Sequence, residues 1–213
     1  MDCGFLEFQR QNECNMKKLN NTYYILRHGE ALSNIKHMNS SWPEMFRNHL
    51  TPKGVNQVKE SVQKLINKKV NVDFIFYSDL LRTTQTAEIA SKMLKVKPRI
   101  EKRLREIDFG TANGKPIEEL LYMSFAKKRI NHTFKRGETY YHVLRRVLSF
   151  LKEIDSRYKG KTILLISHQA TLWILENRVE GYSLKEGIKR VPKEKRIGKG
   201  ELRLLVPGKS TNK

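Results

Sequence analysis

The chain has 213 residues, with 42 Lys plus Arg against 22 Asp plus Glu and a formal net charge of +20. Apolar residues make up 38% and charged residues 30%. No apolar run approaches the roughly 18–20 residues needed to span a bilayer, so the composition excludes a helical membrane protein and fits one sizeable soluble domain with its own core. The charge favours anionic partners such as phosphate esters or nucleic acid, although a generally lysine-rich surface explains it equally well.

Both cysteines, Cys3 and Cys14, lie in the leader 1–15. They complete no metal-ligand set and argue against a disulfide framework, so a cytoplasmic location is expected. The leader lacks a basic segment followed by an apolar core and is not a signal peptide. Met16-Lys17-Lys18 resembles a natural start, so residues 1–15 are expected to be either a disordered extension or the product of a misplaced start codon. Residues 16–206 are expected to form a single domain, and 207–213 a flexible tail.

In chain order, Thr22–Leu26 reads as a buried strand. Thr51-Pro52 gives an N-cap followed by proline at the first helical position, and Val55, Val58, Val62, Leu65 and Ile66 follow at helical spacing to about Lys69. Val72–Tyr77 is a β-branched and aromatic run. Ser78-Asp79 is expected to cap a helix from Leu80 to about Leu94, Pro98 to block its continuation, and Arg99–Leu104 to form a short strand. Pro116–Ile130 predicts one or two short helices. A long helix runs from Gly137-Glu138-Thr139 to about Tyr158, with Val143, Leu144, Val147, Leu148, Leu151 and Ile154 on its buried side. Thr162–Ile166 is the most convincing buried strand, Ala170–Leu175 is helical, and Glu201–Val206 is a last strand. Alternating strands and helices predict an α/β fold with a mainly parallel sheet covered on both faces.

Chemistry gathers at the strand ends. Tyr23-Tyr24-Ile25-Leu26 stops at Arg27-His28-Gly29-Glu30, and the last strong strand stops at Ser167-His168. If these strands are parallel neighbours, His28 and His168 emerge at one sheet edge, where α/β sites form. Phe74–Tyr77 leads to Arg82 in the first turn of the next helix. Two histidines and two arginines suit phosphoryl transfer: a neutral imidazole attacks, and guanidinium groups neutralise the equatorial oxygens. No acidic metal cradle is apparent and no cofactor is called for. Glu106, just before the Gly110 loop, is the candidate proton donor for the leaving alkoxide.

These residues carry a resemblance. Leu26-Arg27-His28-Gly29-Glu30 with Asn34, the stretch from Ser78 to Ala87, Leu104-Arg105-Glu106-Ile107-Asp108-Phe109-Gly110, Gly137-Glu138-Thr139 and Ser167-His168 are similar to the motifs of the histidine phosphatase superfamily, the phosphoglycerate-mutase-like enzymes. The resemblance covers roughly Tyr23 to Val206 and implies a three-layer α/β/α sandwich. It implies His28 as the nucleophile that becomes phosphohistidine, and Arg27, Arg82 and His168 as holders of the phosphoryl oxygens. It further implies Asn34 as an extra phosphate contact and Glu106 as the proton donor. Relatives often carry Gly-Gly after the second histidine, where this chain has Gln169-Ala170. On this resemblance the Gln169 backbone amide is expected still to reach a phosphate, with its side chain crowding or contacting the site. After the acid this chain has Ala112-Asn113-Gly114 in place of a Trp-Glu-Gly type loop. Both departures bear on specificity more than on chemistry.

The expected activity is metal-independent hydrolysis of a small phosphorylated substrate. The rival enzyme is a cofactor-dependent phosphoglycerate mutase, disfavoured because Ile107–Ser167 lacks a long insert. The rival without catalysis is a basic nucleic-acid-binding protein on the same fold. Lys127-Lys128-Arg129 with Lys135-Arg136 either steers anions inward or is a solvated face. Lys185–Lys199, without interleaved aromatics, allows at most non-specific backbone binding. No membrane partner is expected, and either a monomer or a homodimer fits.

Overall fold

The computed structural model describes residues 18–117, 128–191 and 195–208. The leader 1–15 lies outside these residues, as do most of the short helices expected between Pro116 and Ile130 and the last residues of the tail.

Strands β1 (Thr22–Arg27), β2 (Phe74–Tyr77), β3 (Pro98–Ile100), β4 (Thr162–Ser167) and β5 (Leu202–Leu205) form a five-stranded sheet in the order β3-β2-β4-β1-β5. Pairings β1–β4, β2–β4 and β2–β3 are parallel; only the edge strand β5 runs antiparallel. The helices are α1 (Leu32–Ile35), α2 (Pro52–Asn67), α3 (Leu81–Leu94), α4 (Tyr140–Arg157), α5 (Gln169–Val179) and α6 (Leu184–Arg190).

The period-2 alternation of β1 and β4 divides the core into two layers. Tyr23, Ile25, Ile163 and Leu165 pack with α4 and α5 through Val143, Val147, Leu151, Leu172 and Trp173. Leu26, Leu164 and Ile166 face the other way, against Val58, Val62 and Leu65 of α2 and Ala87 and Ala90 of α3. Helices thus cover both faces, as the expected three-layer α/β/α architecture requires.

Several local expectations shift. Thr51 caps α2 as expected, its hydroxyl accepting from the Gly54 amide at 3.0 Å. Asp79 does not cap α3: it forms a bidentate pair with Arg105, at 2.7 and 2.5 Å. The Ser78 hydroxyl faces His168. The first amide of α3, on Leu81, is instead satisfied by the distant Glu44 carboxylate at 2.9 Å. Arg99–Leu104 splits into the end of β3 and a 3-10 turn over Lys102–Leu104, because Glu101 caps that turn through the Arg103 amide. Helix α6 was not foreseen. Its signal is the Ser183-x-x-Glu186 capping box, whose two reciprocal bonds measure 2.8 and 3.3 Å.

Gly29 and Gly54 are required by contact. A Cβ on Gly29 would lie inside van der Waals contact with the Gly54 carbonyl, and one on Gly54 inside contact with the Glu30 carbonyl. The loop after β1 therefore rests directly on the first turn of α2. Gly29→Ala should destabilise the fold by about 1–3 kcal/mol through forced backbone displacement. Urea unfolding checks this; an unchanged midpoint would contradict the contact.

Candidate active site

The parallel register of β1 and β4 places Arg27 opposite Ser167, and one residue further the His28 amide donates to the Ser167 carbonyl at 3.1 Å. The two histidines therefore leave the sheet side by side, with ring centroids 5.2 Å apart. Both are buried.

Hydrogen bonding fixes the His28 tautomer. Nδ1 lies 2.7 Å from the Gly29 carbonyl, which can only accept, so Nδ1 carries the proton. Nε2 lies 3.2 Å from Arg82 Nε, which can only donate, so Nε2 presents its lone pair. Burial holds the imidazole well below its ordinary pKa, and the charges of Arg82 and Arg27 push it further in the same direction. His28 is thus neutral, with a free electron pair facing a guanidinium.

Arg82 is 2% exposed. Its other nitrogens donate to Ser40 Oγ at 3.2 Å and to the Ser40 carbonyl at 3.0 Å, and Glu44 lies 3.6 Å away. Burial pulls the guanidinium down to about 10, against the opposing charges of Glu106 and Glu44, so it remains a cation at neutral pH. His168 Nε2 meets Ser78 Oγ at 2.9 Å, while its buried Nδ1 has no partner. Burial, then Arg82 and His28, hold this imidazole neutral too.

Arg27 donates through Nη1 to the Ile197 carbonyl at 3.1 Å, leaving its buried Nε without a partner. The Gln169 side chain reaches the same carbonyl at 3.4 Å, so it is drawn toward the 195–201 segment. Asn34 spends its side-chain oxygen on the Ala31 amide at 3.0 Å. The Glu106 carboxylate accepts from the Ile107 amide at 3.0 Å, and its charge favours the cationic forms of Arg27 and Arg82. Arg146 secures its backbone, donating to the Glu106 carbonyl at 3.2 Å and the Arg103 carbonyl at 2.6 Å while forking onto Glu138 at 2.9 and 3.0 Å.

The comparisons decide what this constellation belongs to. The family model described as histidine phosphatase superfamily (branch 1) matches residues 23–193. The chain belongs to the histidine phosphatase superfamily. Phosphoserine phosphatase 1 of Hydrogenobacter thermophilus is 31% identical over 148 residues, covering 63% of this chain and 68% of that one. Among solved structures, YhfR of Bacillus stearothermophilus superposes with a TM-score of 0.73 at 25% identity, covering 86% of this chain and 90% of that one. The alpha-ribazole phosphatase of Shigella flexneri gives the same TM-score at 22% identity, covering 86% and 89%, a likeness of fold. This chain is a phosphatase of that superfamily.

Within this histidine phosphatase, the structure gathers Arg27, His28, Arg82 and His168 around one sheet edge, while Glu106 bears on the two arginines through its charge. Ser40, Glu44 and Arg146 were missed, because each lies far in sequence from the motif it supports. Ser78 was visible in its motif but was read as a cap. His142 serves the α4 cap, accepting from the Thr139 amide at 3.1 Å. A cavity of about 230 Å³ opens beside Glu106, lined also by Trp42, Lys102, Arg105, Asp108, Glu138 and Arg146. Among the described residues, no group of three or more His, Cys, Asp or Glu side chains converges as a metal site.

Two buried neutral histidines have a pH consequence. Their folded pKa values lie below the unfolded value of roughly 6.5. Below that pH the unfolded chain takes up protons that the native chain refuses. Stability is therefore full above roughly pH 6.5 and falls with acidification, by up to about 1.4 kcal/mol per pH unit per histidine. Denaturant titrations at pH 7.5 and 5.5 should show this loss. Ring-nitrogen NMR should find His28 as the Nδ1–H tautomer throughout; titration of both rings near pH 6.5 would contradict the assignment.

Proposed function

We propose that the protein hydrolyses a small phosphomonoester without a metal, through a phosphohistidine formed on His28. The observation that carries this reading is the His28 Nε2 lone pair held against the buried Arg82 guanidinium. It is a nucleophile standing beside a cation that a phosphoryl oxygen can take over.

When the ester enters, Arg82, Arg27 and His168 hold the non-bridging oxygens and offset their charge. His28 Nε2 attacks phosphorus in line with the ester oxygen, and the P–O bond to the leaving group breaks. The Nδ1–H bond to the Gly29 carbonyl supports the positive charge that develops on the ring. Glu106 gives its proton to the departing alkoxide, which leaves as an alcohol. The resulting carboxylate then takes a proton from water as the water oxygen attacks phosphorus. The P–N bond breaks, its electron pair returns to Nε2, and phosphate is released with Glu106 reprotonated. Gln169 and Asn34 are proposed as additional contacts to the bound phosphate, through the backbone amide of the first and the side-chain amide of the second.

Relatives span two reactions. Besides the phosphoserine phosphatase, the chain is similar to the probable phosphoglycerate mutase GpmB of Yersinia pestis, 29% identical over 164 residues and covering 74% of each. Hydrolysis is favoured by the short connection from Glu106 to β4: only brief turns and α4 accompany the part of that stretch the structure describes. A strict requirement for a bisphosphoglycerate primer, with little release of phosphate, would reverse this preference.

His28→Ala should lose at least about a thousandfold in kcat/KM on a panel of phosphate esters assayed with chelator. Unchanged turnover in that variant, or abolition of wild-type turnover by the chelator, would sink the mechanism. Glu106→Gln should slow alkyl esters by about 10²–10⁴ and activated aryl esters much less, because only a poor leaving group needs the proton. Equal slowing of both classes would remove Glu106 from that role.

A further inference from the structure

Ser78 and His168 meet because the parallel register of β2 and β4 pairs Tyr77 with Ile166. One residue further, the Ser78 amide donates to the Ile166 carbonyl at 3.2 Å, and the Thr83 hydroxyl donates to the Ser78 carbonyl at 2.7 Å. The serine is thus fixed through both of its backbone groups at the end of β2. Its hydroxyl lies 2.9 Å from His168 Nε2, and both residues are fully buried. Among the described residues the hydroxyl has no other partner, and His168 Nδ1 has none at all.

This pair admits two proton arrangements for a neutral ring. If Nε2 carries the proton and donates to Ser78, the hydroxyl proton is idle and Nδ1 keeps an idle lone pair. If Ser78 donates, its proton and the Nε2 lone pair satisfy each other, and the single idle group is an N–H on Nδ1. Buried polar groups are costly to leave unpaired, so the second arrangement is favoured. An imidazolium would avoid the choice by donating from both nitrogens, but burial, then the charge of Arg82, hold the ring neutral.

We infer that Ser78 is a positioning residue: its hydroxyl donates to His168 Nε2, fixes the Nδ1–H tautomer, and so makes His168 a hydrogen-bond donor to the phosphoryl group. This rests on the reading of His168 as a holder of the phosphoryl oxygens. Two imidazoles with centroids 5.2 Å apart then carry the same tautomer for opposite purposes. The Gly29 carbonyl engages the His28 proton and leaves Nε2 as a lone pair beside Arg82. Ser78 engages the lone pair of His168 and leaves a proton. One ring is free to attack phosphorus and the other only to donate, so His28 alone is available to accept the phosphoryl group.

Ring-nitrogen NMR of the full-length protein, with inorganic phosphate as the probe, tests this directly. His168 should be the Nδ1–H tautomer in the wild type, and that N–H resonance should move when phosphate binds. Ser78→Ala should populate the Nε2–H tautomer, weaken calorimetric phosphate binding about tenfold and lower kcat/KM by a similar factor. The loss should be equal on alkyl and activated aryl esters, unlike that of Glu106→Gln, because it concerns the phosphoryl group and not the leaving group. In a His168→Ala background the same substitution should cost nothing further, whereas a merely structural serine would cost the same in both backgrounds. An Nε2–H tautomer in the wild type would overturn the inference, and this spectrum decides it even where a variant fails to fold. Undiminished loss from Ser78→Ala in the His168→Ala background would overturn it as well. A tautomer switch with loss of phosphate affinity in Ser78→Ala, from a wild type that turns over no ester, would retain the inference and overturn the hydrolase reading instead.

Discussion

Arg27 stands opposite Ser167 across the parallel pairing of β1 and β4, and everything in the site follows from that register. A slip of one residue would turn Leu26 and Ile166 from one core layer to the other and carry both histidines off the edge. The register is held by two buried strands whose alternate residues serve different layers, so each strand is pinned from both faces. Catalytic geometry and core packing are in this sense the same constraint. The close contact of Gly29 with Gly54 extends it, seating the loop after His28 on the start of α2.

The second constraint is electrostatic. Arg82 is buried, and a buried cation needs partners. Two contacts come from Ser40, a nearby carboxylate from Glu44, and a fourth contact from the lone pair of His28. That last contact ties the charge state of His28 to the anchoring of the cation: protonated, His28 would face Arg82 as a like charge. Without substrate, the site is therefore a set of oriented positive groups around two neutral imidazoles. In the proposed reaction a phosphoryl dianion would supply the charge this arrangement lacks, with little reorganisation of the protein on receiving it.

Much of this was legible in the sequence, for physical reasons that differ between elements. The strands β1 and β4 declare themselves because a strand buried on both faces must be apolar throughout, and the residues ending them are polar. Helices α2 and α4 show the 3.6-residue period of a one-sided apolar face. What the sequence hid are supports that act across long separations. Glu44 caps α3 in place of Ser78-Asp79, and no local pattern predicts a carboxylate arriving from 37 residues away. Asp79 is instead committed to Arg105, and Ser78 to His168. In the sequence, Arg129 belongs to a basic stretch that fits either inward steering of anions or a solvated face. The burial of Arg129 depends on Phe109, Phe134 and Tyr140 meeting around it, which only the tertiary fold reveals.

His28 as a covalent carrier of the phosphoryl group is the claim on which the chemistry stands. Rapid mixing with a turned-over phosphate ester, an alkaline quench and peptide mapping by mass spectrometry test it most directly. The account predicts a phosphoryl group on the peptide containing His28, stable to base, labile to acid, and formed and discharged at rates compatible with turnover. Efficient turnover with no phosphoryl group on His28 at any time point, or with the group on another residue, would contradict it.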